Sequence, residues 1–478
     1  MRSKLWILVS SALLGACAVG PDFKAPEPDL PPQWRAATAS QDAVEREWWK
    51  RFNDPTLDAL VERALASNAQ VQIATLRVVQ SRLLRGVEAG ARWPQVNASA
   101  GYSRERQSEH GTATRLIDLI APGPEGEQII RLLSNPFSVY QGGFDVGWEL
   151  DLWGRVRRSV EAADANLRMT EEDLRDAQLS LVGDVVRNYL ELRGVQDQLR
   201  IANADAAASA DLVELTEYRV RGGLVDQLDL ATQRARLAES RSNIPQLRQQ
   251  EVQLISALAV LLNVEPGALD AQLAATQSTF TLPSAIAGGV PSEVARRRPD
   301  IKRAEAQLQA ATAEIGVAVA DLYPRFTLTG SFVQQSLSAS DFTDWGSRQW
   351  SVGPSLSLPI FDGGRRRTAV EIRKLDQQQA AVTYQQTVLR AWHEIENALS
   401  GYSAEQEHNR ELATALAASR EAYEIARVRY NHGMINYLAE LDARRTLFQT
   451  ERAYSQSNTQ LGTQWVAVYK ALGGAWTP

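Results

Sequence analysis

Cysteine is almost missing. One thiol, Cys17, stands in 478 residues, so the chain cannot close a disulfide on itself. Histidine is nearly as scarce, and His110, His393, His408 and His432 show no metal-ligand spacing with that Cys. There is no basic excess, because 51 Lys and Arg face 57 Asp and Glu for a net charge of -6, which argues against a nucleic-acid binder. Walker A, G-x-S-x-G and H-E-x-x-H sequences are absent, and the pairs Gly222-Gly223, Gly288-Gly289 and Gly363-Gly364 read as turns and caps. No enzyme is expected, and no metal or non-covalent cofactor. Long apolar runs are lacking too: the chain is 44% hydrophobic and 23% charged, with mean hydropathy -0.28, which excludes a helical membrane protein. The length allows two or three ordinary domains at roughly 150 residues each.

What is present begins at the N-terminus. Arg2 and Lys4 precede an apolar run over residues 5–14, too short to span a bilayer, which ends in Leu14-Gly15-Ala16-Cys17. This resembles a bacterial lipobox. Residues 1–16 are then a lipoprotein signal peptide, and Cys17 receives an S-diacylglycerol group and, after cleavage, an N-acyl chain such as palmitate. Several chains hold a protein where one holds only marginally. An ordinary signal peptide with an incidental Cys is the plainer alternative. Ala18 stands where Asp signals inner-membrane retention, so the outer membrane is the expected address. Pro21, Pro26, Pro28, Pro31 and Pro32 forbid helix, and residues 17–55 read as an extended, lipidated tether.

Laid over itself, the chain is a tandem repeat. Val71 precedes Pro94 by 23 residues, as Ile301 precedes Pro324; Gly154 precedes Gly223 by 69, as Gly364 precedes Gly433. The boundaries are a first repeat over 56–263, an inter-repeat segment over 264–291, a second repeat over 292–465 and a C-terminal tail over 466–478.

Within each repeat the hydrophobic period changes from helical to strand-like and back. Val96, Ala98, Ala100 and Tyr102 alternate with polar or small residues, as do Phe144, Val146, Trp148, Leu150 and Leu152. The second repeat does the same with Phe326, Leu328 and Phe332, then with Trp350, Val352, Leu356 and Leu358. The strand pairs fall at about 94–105 with 143–153 and about 324–334 with 349–359, each strand the length of a tilted transmembrane β-strand. A soluble sheet with one wet face shows the same alternation. Four strands cannot close a barrel alone, so copies must meet edge to edge: a dimer makes eight strands and a trimer twelve, and the trimer suits a conduit.

The helical runs are unusually long. Residues 156–221 and 366–432 contain no proline and reach roughly 100 Å if continuous, while their charges exclude burial in lipid. Leu174, Leu181, Val195 and Ala202, with Val185, Leu192, Leu199, Ala206 and Val213, recur at multiples of seven as a coiled-coil-like seam. Gly222-Gly223 and His432-Gly433 stop these helices, and helical periodicity then resumes. Each repeat is thus a long helical hairpin hung on a strand pair. The expected class is mixed α and β, a transmembrane β-barrel continued by a periplasmic α-helical barrel.

The arginine runs at Arg155, Arg157 and Arg158 and at Arg365, Arg366 and Arg367 fall where strands end and helices begin, and are expected to meet phospholipid headgroups or acidic residues. Arg296-Arg297-Arg298 reads as a solvated run. Asp442 lies past the second hairpin tip and Asp229 near the equivalent place in the first. Either is a solvated carboxylate or, in a closed bundle of copies, part of an acidic ring that attracts cations.

Several motifs together resemble the TolC-like outer-membrane efflux factors, in their NodT-type lipoprotein branch. They are Cys17-Ala18-Val19-Gly20-Pro21-Asp22-Phe23, Glu47-Trp48-Trp49-Lys50-Arg51-Phe52-Asn53-Asp54-Pro55, Trp148-Glu149-Leu150-Asp151-Leu152-Trp153-Gly154, Arg297-Arg298-Pro299-Asp300-Ile301, Leu322-Tyr323-Pro324-Arg325 and Leu358-Pro359-Ile360-Phe361-Asp362-Gly363-Gly364-Arg365. The resemblance implies a homotrimeric exit duct for small molecules in the outer membrane, with a twelve-stranded barrel, a periplasmic tunnel and an equatorial region built from the termini and the inter-repeat segment. It implies a periplasmic adaptor docked at the hairpin tips Gly222, Gly223, Leu224, Gly433 and Met434, and an inner-membrane transporter of the resistance-nodulation-division type. By motif match Asp442 is a tunnel-constriction aspartate, with Asp229, Tyr430 and Arg219 near links that hold the entrance shut. A second acidic position of some members is Ala439 here, for which Glu440 is a weak substitute. A structural coiled-coil lipoprotein that conducts nothing is the alternative, though it has no use for the strands.

Overall fold

The computed structural model describes residues 18–27, 34, 39–40, 47–274, 283, 286–287 and 291–474. Cys17 and the expected signal peptide lie outside them.

The two repeats share one order of main elements, and the first carries extra helices between its strands. The first runs β1 (Ala39–Ser40), a 3-10 turn (Trp48–Phe52), α1 (Pro55–Ser67), α2 (Ala69–Gly90), β2 (Gln95–Glu105), α3 (Thr112–Ile120), α4 (Pro124–Leu133), β3 (Phe137–Leu150), α5 (Arg155–Arg221) and α6 (Gln227–Leu261). The second runs β4 (Ile286–Ala287), α7 (Pro291–Arg297), α8 (Pro299–Ala320), β5 (Arg325–Ser336), β6 (Arg348–Ser357), α9 (Arg365–Asn431) and α10 (Tyr437–Ala471). Three pairs of equivalent helices have identical lengths, 22 residues in α2 and α8, 67 in α5 and α9, and 35 in α6 and α10, while α1 has 13 and α7 has 7. The length follows from what is absent, since α5, α9 and α10 hold no proline and α6 carries only Pro245, which removes one i→i−4 bond.

The chain divides into two compact units. The first, built from Arg82–Asn166 and Gln309–Gln379 with residues 18–24, carries a four-stranded antiparallel sheet in the order β2-β3-β5-β6. Its register aligns chemistry across all four strands. Ala98 faces Phe144, Phe144 faces Phe332 and Phe332 faces Trp350; one residue along, Asn97, Asp145, Ser331 and Ser351 form a polar row. The polar row is hydrogen-bonded, Asn97 Nδ2 donating to Asp145 at 2.9 Å and the Ser331 and Ser351 hydroxyls meeting at 2.8 Å. The apolar row is bare: Phe144 is 55% exposed and Trp350 73%. A soluble sheet covers such a face, so this one is made for an apolar surrounding. β3 starts at Phe137, earlier than the alternation suggests, while Leu152 and Leu358 fall just beyond their strands.

The β2–β3 link holds α3 and α4, which the strand pattern does not reveal. Leu116, Leu119, Ile120, Ile129, Leu132 and Leu133 are spaced for helix, and all are exposed.

The second unit holds the main core. The seam residues Leu181, Val185, Leu192, Val195, Leu199, Ala202 and Ala206 are all buried. Leu57, Leu60, Leu258, Leu262, Leu269 and Leu273 pack in the same cluster as Leu181, Val185 and Leu192. Trp48 lies 5.6 Å from Trp465 and 5.5 Å from Tyr469, ring to ring, and Phe52 lies 4.9 Å from Trp465. Asp54 accepts the Thr56 and Leu57 amides at the start of α1, and its other oxygen accepts the Tyr189 hydroxyl. Burial, helped by that carboxylate, pushes Tyr189 up to about 12.

Two expectations are corrected here, those for the tether and for Arg298. The tether expected over 17–55 is not extended throughout, because Trp48, Trp49 and Phe52 need a core and the chain turns at 48–52 to bury them. The helical periodicity read over 438–472 is met by the last helix, which runs to Ala471 with Trp465, Val468 and Tyr469 on a buried face and so takes in the start of the tail placed at 466–478. Arg298 is not solvated: it is buried, binds Asp300 and Glu394 at 2.7 Å each, and donates to the Ala471 carbonyl.

Trp465→Ala is expected to destabilise this bundle by about 3–5 kcal/mol, the cost of truncating a fully buried Trp. Thermal unfolding in detergent, followed by helical circular dichroism, checks the drop in midpoint.

Candidate gate and strand–helix junctions

Both hairpin tips are built the same way. Gly223 and Gly433 take φ of 69° and 70°, a left-handed conformation that glycine adopts without strain. The Leu224 amide donates to Arg219 O at 2.9 Å and the Met434 amide to Arg429 O at 2.8 Å, closing each helix with a Schellman-type turn. Asp226 and Asn436 then cap α6 and α10, accepting the amides of Asp229 and Ala439. Leu224 and Met434 are left exposed.

Between the hairpins, the Arg219 guanidinium donates to the Tyr430 hydroxyl and lies 5.5 Å from the Tyr430 ring and 5.8 Å from the Tyr437 ring. The structure therefore brings together Arg219 and Tyr430 of the expected set. It leaves Asp229 and Asp442 exposed, with no ion pair to either among the described residues. The matching caps also place Asp229 opposite Ala439, so Asp442, three residues further on, has Thr232 as its counterpart.

Sequence reasoning missed Tyr437 and misjudged Glu440. Glu440 is buried and is no exposed substitute for the missing acid at Ala439; burial pushes its carboxyl up, with Arg444 opposing. The Tyr437 hydroxyl is buried without a hydrogen bond and its acidity is suppressed by burial and by Glu440. The aromatic at the first position of α10 was the one available signal.

The strand–helix junction of the first repeat is a closed electrostatic unit. Arg155 grips Glu149 with two bonds of 2.8 and 2.7 Å, and Asp151 accepts the amides of Val156 and Arg157 at 2.9 Å. Trp153 stacks on Tyr323 at 4.7 Å and donates to Pro324 O. The chain just after Cys17 docks here: the Val19 amide donates to Trp153 O at 3.0 Å, and Asp22 binds Arg158 at 2.6 Å. A cavity of about 130 Å³ beside it is lined by Glu149, Asp151, Asp321, Arg155, Arg325 and Arg366. The residues at this junction are charged and mutually satisfied, suited to holding a joint in place.

A sheet with a bare apolar face and a polar one, joined in tandem to two 67-residue helices, defines a subunit of a membrane-crossing β-barrel with helical extensions. The comparisons carry this to a family. The outer membrane efflux protein profile matches residues 60–264 and 290–474. The chain is 33% identical over 476 residues to the outer membrane protein OprJ of Pseudomonas aeruginosa, covering 98% of this chain and 95% of that protein. It is 29% identical to the solvent efflux pump outer membrane protein SrpC of Pseudomonas putida, across 100% of this chain and 99% of that one. The solved outer-membrane channel OprN superposes with a TM-score of 0.85 at 35% identity, over 97% of this chain and 100% of that one. The chain belongs to the outer membrane efflux protein family. It is an outer-membrane efflux channel component.

Arg219→Ala removes the cation that joins the two hairpins; hydrogen bonds to charged groups contribute about 1.5–3 kcal/mol. Basal single-channel conductance is expected to rise above wild type with assembly unchanged. Equal currents remove Arg219 from the gate.

Proposed function

We propose that three copies of this chain form a twelve-stranded barrel and a periplasmic helical tunnel. This duct passively conducts small molecules delivered by a periplasmic adaptor and an inner-membrane transporter of the resistance-nodulation-division type. The observation that carries the reading is the sheet: its apolar face is bare and its two edge strands, β2 and β6, have no partner among the described residues. In hydrocarbon each unpaired backbone group costs several kcal/mol, which other copies relieve. Each edge strand also adjoins exposed apolar helix: Leu83, Leu84 and Val87 on α2 just before β2, and Ile372 and Leu375 on α9 soon after β6. These surfaces suit the next copy.

Adaptor docking at Leu224 and Met434 rests on their exposure at matched tips, and the Arg219–Tyr430 link supports a shut entrance. Asp442, exposed on α10, supplies one carboxylate per copy to an acidic ring at the constriction. Cys17 carries the lipid. Docking of Val19 and Asp22 beside the strand–helix joint supports that reading, because the described chain is tied at that joint two residues after the thiol in sequence.

Light scattering and planar-bilayer recording on one detergent preparation test the duct. A trimer with small, cation-selective currents is expected; a non-conducting monomer or dimer replaces the duct with a structural coiled-coil lipoprotein. Asp442→Ala is expected to weaken cation selectivity or raise basal current, and currents unchanged in both respects exclude Asp442 from the constriction. Cys17→Ser is expected to abolish incorporation of radiolabelled palmitate, while label retained on the variant refutes the anchor.

A further inference from the structure

The strand–helix junctions of the two repeats are equivalent in position and opposite in chemistry. In the first, every arginine is engaged locally: Arg155 by Glu149, Arg157 by Asp151, Arg158 by Asp22 and Glu161. In the second only Arg366 is, facing Asp362 at 3.5 Å and donating to the Asp321 carbonyl. Arg365 and Arg367 are exposed and have neither ion pair nor side-chain hydrogen bond among the described residues. The carboxylates along this stretch are already engaged. Asp362 also accepts the Gly364 and Arg366 amides, Glu371 holds Lys374 at 2.8 Å, and Glu314 and Asp376 hold Arg373.

Directly before these cations the chain is apolar and uncovered. Ile360 is 93% exposed and Phe361 91%, the two highest values among large apolar side chains in the described residues. They follow β6, whose Trp350, Val352 and Leu356 are bare, and Leu358 and Ile360 keep the even-numbered spacing of that row. Read along the chain, the order is apolar strand face, apolar turn, then free guanidinium groups. A phospholipid leaflet presents the same order from hydrocarbon to phosphate.

We propose that the second-repeat junction is a phospholipid site, with Arg365 and Arg367 binding the phosphate of an anionic phospholipid and Ile360 and Phe361 seated among acyl chains. The planar guanidinium donates two parallel hydrogen bonds to phosphate oxygens, which suits it to this ligand. At the first junction the chain's own strap, Val19 to Asp22, and its own carboxylates occupy the equivalent role. The inference rests on the barrel reading, which places both junctions at the periplasmic edge of the outer membrane.

The test is native mass spectrometry of the detergent-extracted protein with phosphatidylglycerol, comparing wild type, R365Q/R367Q and the exposed-arginine control R296Q. Each basic residue at an anionic surface contributes about fivefold in affinity, so the double variant is expected to retain roughly 25-fold less phosphatidylglycerol while R296Q matches wild type. Equal retention in wild type and the double variant, or equal loss in R296Q, overturns the site. A second measurement does not depend on charge: a nitroxide on Phe361→Cys, in a Cys17→Ser background, reconstituted into phosphatidylglycerol vesicles. Collisions with oxygen are expected to exceed those with a polar nickel chelate. A label reached equally by both, or shielded from both by a neighbouring copy, overturns the proposal. Trimer mass and conductance on the same samples separate this failure from failure of the barrel, which would show as loss of both.

Discussion

A row of amides and carbonyls along β2 and another along β6, unpaired among the described residues, is the constraint on which the rest of this protein depends. Water can satisfy such rows and hydrocarbon cannot. Because the apolar face of the same sheet is bare, the four strands are built for the environment that tolerates open edges least. In the proposed assembly, closure through other copies answers this, and the internal duplication fits it. Each repeat contributes one strand pair and one hairpin, so a closed wall and a closed tunnel come from the same count of copies.

The helical half meets a different requirement. Helices of 67 residues cannot be held by their own propensity against bending and separation, and they are held in the middle by a dense core. Trp48, Trp465 and Tyr469 stack there with Phe52, drawing in the segment before α1 and the last turns of α10. Arg298 adds a polar clasp, tying Asp300, Glu394 and the carbonyl of Ala471 within the same unit.

The architecture was legible in the sequence because it is periodic. Alternation located the strands to within a few residues except at Phe137, and proline-free runs located α5 and α9 almost to the residue. Gly223 and Gly433 marked the tips because a left-handed residue there has to be glycine or pay in strain. What failed to show depended on burial, which one-dimensional patterns do not carry. The charge of Arg298 suggested solvent, yet three partners made its burial possible, and nothing in the pattern showed that Glu440 is buried. The tether was misread because aromatic residues near a chain end reveal their core only when the ends meet. Near the hairpin tips, the pairing of Arg219 with Tyr430 joins residues 211 apart in sequence; motif resemblance put both near helix links, and neither it nor spacing specified their contact.

Matched helix lengths carry an evolutionary consequence. One residue inserted into α5 advances its tip by about 1.5 Å and rotates everything beyond by about 100°, so the tip falls out of step with α9 and with its own return helix α6. The lengths 67 and 35 are therefore locked to each other across both repeats, and drift in one demands the same change in three other helices. The links between β2 and β3 and between β5 and β6 bear no such constraint. Within this chain the two repeats already differ there, with residues 106–136 in the first link and 337–347 in the second, while the paired long helices keep a fixed gauge.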